Sequence, residues 1–163
     1  MSFIRTIKSQ PAELFIGENI FFRLIENEDD LKYAILFCKV KPHQDEDVWP
    51  AGFSIGRAWL NPDNNAPFVV CNKSGEKVGF IQLINHPGDT EYFSWSVMID
   101  AQHQGNGYGT QATALAVKVL KTIAPEKEIV LDVVAENKSA CALYEKLGFT
   151  LRKVIGIDRY YVI

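Results

Sequence analysis

An α/β (α+β) fold on one mixed β-sheet is what the sequence predicts, and three observations predict it. Short β-branched and aromatic runs form a meander that ends at Ile99, a long helical stripe follows, and an almost unbroken apolar run, Ile129-Val-Leu-Asp-Val-Val134, comes straight after that. Ile20-Phe-Phe-Arg-Leu-Ile25 is the first strand. Polar residues from Asn27 to Asp30 then cap a helix that carries Leu31, Ala34, Ile35 and Cys38 at helical spacing. Between Lys41 and Pro67, prolines and glycines interrupt every pattern and leave room for one short helix around Ile55 to Leu60. Phe68–Cys71 and Val78–Ile84 flank Asn72-Lys-Ser-Gly-Glu-Lys77 as a hairpin, and Glu91–Ile99 is the next strand.

The long helix carries Ala112, Leu115, Ala116, Val119, Leu120 and Ile123 on one stripe, and Pro125 ends it. Ile129–Val134 is expected to be a strand buried on both faces, paired in parallel across that helix. Asn137 caps a shorter helix bearing Ala140, Leu143, Tyr144 and Leu147, with Gly148 where a left-handed C-terminal cap belongs. Tyr160–Ile163 is the last expected strand.

Composition narrows the function classes. The 163 residues suit a single domain, 1–163, and 47% hydrophobic against 23% charged residues suits a packed core. A formal net charge of −3 argues against a nucleic-acid binder. Cys38, Cys71 and Cys141 have neither disulfide nor metal-ligand spacing and are expected to be buried thiols, with no metal site. There is no apolar N-terminal stretch and no run near the ~18 apolar residues of a membrane span, so a cytoplasmic protein with no membrane partner is expected.

Two segments carry chemistry. Gln104-Gly-Asn-Gly-Tyr-Gly109 is a glycine-rich turn between a strand and a helix. Such a turn exposes backbone N–H groups at the positive end of the helix and suits a pyrophosphate, although glycines there can also be only a tight turn. The spacing is not GxGxxG, and no GK[ST] triplet follows. Just beyond the next strand comes Asn137-Lys-Ser-Ala-Cys-Ala-Leu-Tyr-Glu-Lys-Leu-Gly-Phe149. In that order, the two segments resemble the signatures of the GNAT superfamily of acyl-CoA N-acyltransferases: a Q/R-x-x-G-x-G/A loop and an N-x-x-A-x-x-x-Y-x-x-x-G-F helix. The resemblance covers about Phe93 to Phe149.

The resemblance implies a mostly antiparallel mixed sheet with helices on both faces and two central strands that splay apart. It implies acetyl-CoA as acyl donor, with its pyrophosphate on Gln104, Gly105, Asn106, Gly107, Tyr108, Gly109 and Thr110. Backbone groups of Val97, Met98 and Ile99 would pair with the pantetheine and polarise the thioester carbonyl. Asn137 and Ala140 would line the arm, and Tyr144 would protonate the departing thiolate. Tyr144 is equally the kind of aromatic that packs an amphipathic helix into a core. Many relatives carry an Arg or Lys in the loop where this chain has Gly105-Asn106, so Lys118 and Lys138 are candidate helpers or simply solvated lysines.

A protonated amine cannot attack a thioester, so a base is required. Asp132 stands inside an apolar run where an ionised carboxylate is costly, and it matches the position where some N-terminal acetyltransferases of the family keep a glutamate. Its alternative role is a structural partner for a nearby cation, and Glu91 is the rival base. The acceptor is expected to be a primary amine, either a small molecule or a peptide, approached by the segment from Lys39 to Pro67. That segment holds Asp45-Glu-Asp47, Trp49, Phe53 and Trp59, which suit a cationic amine or else form an ordinary solvated loop. A homodimer is compatible with all of this. The other function classes are an inactive acyl-CoA sensor and a partner-docking module.

Overall fold

The structure is a computed structural model and describes residues 2–46 and 48–163. Seven strands form one sheet in the order β1-β2-β3-β4-β5-β7-β6: β1 (Ile20–Leu24), β2 (Asn65–Asn72), β3 (Lys77–His86), β4 (Tyr92–Ile99), β5 (Glu128–Val134), β6 (Thr150–Ile155) and β7 (Asp158–Val162). Every pairing is antiparallel except β4 with β5. The helices are α1 (Phe3–Lys8), α2 (Glu28–Lys32), α3 (Ala51–Leu60), α4 (Tyr108–Ile123) and α5 (Lys138–Lys146).

The predicted meander, the crossover helix and the parallel return strand are all present. The strand expected at Tyr160–Ile163 is the second arm of a hairpin whose first arm is β6. The expected short helix at 55–60 begins earlier, at Ala51, immediately after Pro50, which stands at its N-cap. The helix expected from Leu31 to Cys38 is α2, continued by a single π turn over Tyr33–Phe37.

Strand alternation sorts side chains onto two faces. The larger core takes Ile81 and Leu83 from β3, Phe93 and Trp95 from β4, Ile129 and Leu131 from β5, and the buried stripe Ala112, Leu115, Ala116, Val119 and Leu120 of α4. Each fully buried Val or Leu there contributes about 1.5–3 kcal/mol of transfer free energy, and the 3.6-residue period of α4 makes the stripe continuous. On the other face Phe80 and Met98 pack with Ala34, Cys38 and Ala51, under α2 and α3. All three cysteines are buried and free, as expected.

The second face is secured by a polar clamp. Asn27 caps α2 by accepting from the Asp30 N–H at 2.8 Å. Asp30 in turn accepts two hydrogen bonds from Arg23 of β1, at 2.9 and 2.7 Å. Burial opposes its charge, but Arg23, Asn27 and Lys77 hold the carboxyl below its usual range. The clamp fixes where α2 leaves the sheet, and so where the chain that leads on to α3 begins.

β4 and β5 pair only at Tyr92–Glu128 and Phe93–Ile129, then diverge. The expected splay is therefore present. β5 is not buried on both faces, however. Ile129 and Leu131 are in the core, while Asp132 is exposed, because the divergence leaves its side of the strand without a neighbour.

Candidate active site

The gap between β4 and β5 opens into a cavity of about 380 Å³ that passes through the sheet. Trp95, Val97 and Ile99 line it from the α4–α5 side, and Ser94, Ser96 and Tyr92 from the α3 side. A second cavity of about 390 Å³ lies over the glycine loop and the start of α4. The two share Ile99, Gly109 and Leu143 in their walls, so together they trace one channel.

At the loop end, Gly105 and Gly107 have φ of +86° and +77°, the left-handed region that favours glycine. Gly107 is the N-cap of α4 and supplies no side-chain cap, so the first-turn N–H groups of Tyr108, Gly109 and Thr110 remain available to an anion. The side chains of the motif brace the loop. Gln104 donates to the Ile99 carbonyl at 3.0 Å and to Gln44 at 2.8 Å, and Asn106 donates to the His103 carbonyl at 2.9 Å. Lys118 points elsewhere, donating to the Ile16 carbonyl, and Lys138 is absent from the walls. Lys146 and His103 line the loop cavity instead. Lys146 shares the face of α5 that holds Ser139, Ala142 and Leu143, at helical spacing in the sequence.

Along β4 the peptide groups alternate. The Asp100 N–H bonds back to Val78, which sets Met98 toward β3 and leaves Val97 and Ile99 facing the gap. Met98 is therefore a correction to the expected cofactor set: its side chain is buried under α2 and α3, and its peptide groups belong to the β3 ladder. Asn137 caps α5 through Oδ1, which accepts from the Ala140 N–H at 3.1 Å, and both residues line the channel. Among the described residues, three buried polar atoms in this wall, Gln82 Oε1, Trp95 Nε1 and Thr113 Oγ1, make no hydrogen bond to the protein.

Tyr144 both packs in the core and faces the channel. Its ring packs against Phe149 and Tyr161, while its residue lines the channel. Burial, with the Asp132 carboxylate reinforcing it and the Trp95 indole partly offsetting it, pushes the phenol up to about 12, so it keeps its proton. Asp132 lines the same cavity but is exposed, which corrects the burial expected from the apolar run around it. Glu91 points away: it is paired with Lys127 at 2.7 Å, and that partner holds its carboxyl below the usual range.

The acceptor end also contains groups the sequence did not single out. His86, the last residue of β3, makes a 2.7 Å hydrogen bond between Nε2 and Ser94 Oγ and stacks on Tyr92 with centroids 4.3 Å apart. Burial, then Arg57, lowers its pKa, against a smaller opposing pull from Asp132, so it is neutral at pH 7. Of the 39–67 segment, Val48, Trp49, Ser54 and Arg57 reach the cavity. Trp49 stacks on Phe53, while Trp59 is 81% exposed and stands outside. Asp45 and Glu46 are exposed and outside the walls, and Asp47 lies outside the described residues.

Residues 28–149 match the model of the Acetyltransferase (GNAT) family. The chain belongs to the GNAT family. GNAT acetyltransferases use acetyl-CoA. The spermidine N(1)-acetyltransferase of Escherichia coli K12 is 35% identical over 95 residues, covering 56% of this chain, which spans about half (49%) of that protein. The N-alpha-acetyltransferase RimI of Mycobacterium tuberculosis is 27% identical over 118 residues, covering 71% of this chain and 68% of that one. Among solved structures, a spermidine N-acetyltransferase from Vibrio cholerae in complex with CoA and spermine matches with a TM-score of 0.69 at 19% identity, covering 88% of this chain and 93% of that one. That likeness is one of GNAT fold. No helix among the described residues is long and apolar enough to cross a membrane.

Proposed function

We propose that this GNAT domain is an acetyl-CoA-dependent N-acetyltransferase that acetylates a primary amine by direct attack in a ternary complex. The observation that carries the reading is the channel through the sheet, with left-handed glycines at a helix N-terminus at one end, a buried tyrosine in its middle and titratable groups at the other end. Relatives named spermidine N(1)-acetyltransferase and N-alpha-acetyltransferase support an amine acceptor.

Acetyl-CoA supplies the thioester. The first turn of α4 binds its pyrophosphate, Val97 and Ile99 offer backbone groups from the open edge of β4, and Asn137, Ala140 and Thr113 line the arm. The amine's lone pair forms the new N–C bond while the C–S bond breaks. Tyr144 gives its proton to the thiolate. A carboxylate near ~3.9 is a poor base for an amine whose own pKa is ~8–10. The neutral His86 imidazole is a better one, reached through the Ser94 hydroxyl. Asp132 keeps a catalytic place by drawing the ammonium to this end and stabilising the imidazolium that forms.

The test is release of free CoA thiol from acetyl-CoA across polyamines, amino acids, aminoglycosides and peptides with free N-termini. Turnover with any member supports the reading. Binding of acetyl-CoA with no thiol released from the whole panel would instead favour an acyl-CoA sensor.

A further inference from the structure

The acceptor end carries opposite charges on opposite walls. Arg57 faces it from α3, while Asp132 of β5 and Asp158 of β7 face it from across the gap. Asp132 pairs with Tyr160 and Val134 with Asp158, so the two carboxylates are diagonal neighbours on one face of the sheet. Among the described residues none of the three makes an ion pair, unlike Glu91 and Glu128, which do so on the surface. Both Arg57 and Asp132 act on the imidazole of His86, with opposite sign, so both charges stand within electrostatic reach of the group that receives the amine's proton.

A polyamine presents only positive charge, which the two aspartates attract and Arg57 repels. An acceptor that is positive at the reacting end and negative at the other satisfies both walls. Arginine's planar fork suits that negative end when it is a carboxylate, which it can engage through two parallel hydrogen bonds. We infer that the acceptor is an amine that carries a carboxylate, an amino acid rather than a polyamine, with its carboxylate on Arg57 and its ammonium between Asp132 and Asp158. This rests on the acetyltransferase reading and names the substrate class of the same site.

The experiment compares matched acceptors at saturating acetyl-CoA: lysine with 1,5-diaminopentane, and 4-aminobutyrate with butylamine. The expected result is a kcat/KM preference for the carboxylate-bearing member of about 10- to 100-fold, the range of one hydrogen bond between charged groups. Arg57→Gln collapses that ratio by a similar factor, and Arg57→Lys, which keeps the charge but not the fork, retains part of it. Arg57 is exposed at the surface of α3, so neither variant disturbs the core. A calorimetric titration supplies a readout without turnover: 4-aminobutyrate binds the CoA-bound protein, and binds the Arg57→Gln variant at least tenfold more weakly. If the carboxylate-free amines are preferred, or the ratio is unmoved in Arg57→Gln, the inference falls while the acetyltransferase reading stands. Thiol release from none of the four amines, nor from any other amine, overturns both.

Discussion

The two ends of the channel are built from different materials. At the proposed donor end, recognition would be carried by backbone: two left-handed glycines, the uncapped first turn of α4 and the free edge of β4. At the acceptor end it is carried by side chains, and those come from α3, β3, β4, β5 and β7. A backbone site is a matter of chain conformation and is written in a short contiguous segment. A side-chain site is assembled only when distant segments fold together. The contrast explains how one fold can keep its donor while its acceptor changes, since Arg57, His86 and Asp158 can be exchanged without touching the loop.

Tyr144 stands where the two ends meet, and removing its hydroxyl gives the largest expected effect. Tyr144→Phe lowers kcat about 100-fold, at the low end of general-acid contributions, and leaves acetyl-CoA affinity and melting temperature nearly unchanged because the ring still packs on Phe149 and Tyr161. A variant that melts much earlier but turns over normally once folded would reduce Tyr144 to a core aromatic.

The next effect belongs to the donor end alone. No atom crowds a Cβ at Gly107 more closely than Gln111 Nε2 at 3.8 Å, so the penalty there is conformational rather than steric. A β-branched residue at this φ costs about 1–2 kcal/mol, so Gly107→Val raises the KM for acetyl-CoA about tenfold, and Gly107→Asn less. The KM of the amine stays put. Equal changes in both constants would mean that the two ends are not separable.

The smallest effect is a displacement of a pH profile at the acceptor end. His86 has its pKa lowered below the ordinary histidine value of ~6.5, so it is neutral through pH 7, and kcat/KM falls only as the pH drops below that range. Asp132 raises that pKa and Arg57 lowers it. Asp132→Asn therefore moves the acid limb to lower pH, whereas Arg57→Gln moves it to higher pH. His86→Gln removes the limb and leaves activity that recovers as the amine deprotonates unaided. Loss of the limb in Asp132→Asn, with His86→Gln unchanged, would assign the base to Asp132 instead.

The same contrast governs what the sequence made legible. β4, α4, β5 and α5 were readable because periodicity, glycine spacing and capping are local properties, and the anion loop lies within them. The splay was readable only through family resemblance, because nothing in Ile129–Val134 says where its neighbour diverges. That is why Asp132 was expected to be desolvated and is exposed. Met98 was placed in the channel with its neighbours because a motif gives a segment, whereas strand alternation decides which of its residues face the gap. His86 and Arg57 carried no local signal. One ends a long strand and the other lies on a short helix inside a proline-broken segment, and they come together only across α3, β3 and β5. β6 was missed because its Thr150–Ile155 run mixes charged and apolar residues and is exposed throughout.

The two-residue pairing of β4 with β5 turns the sheet into a partition with a slot. The glycine loop and α4–α5 lie on one side, and Arg57, His86 and the two aspartates on the other. In the proposed reaction, donor and acceptor would therefore enter from opposite sides of the sheet. The price of this arrangement is a seam in the middle of the sheet, where the edge of β4 has no strand to satisfy it until a ligand does.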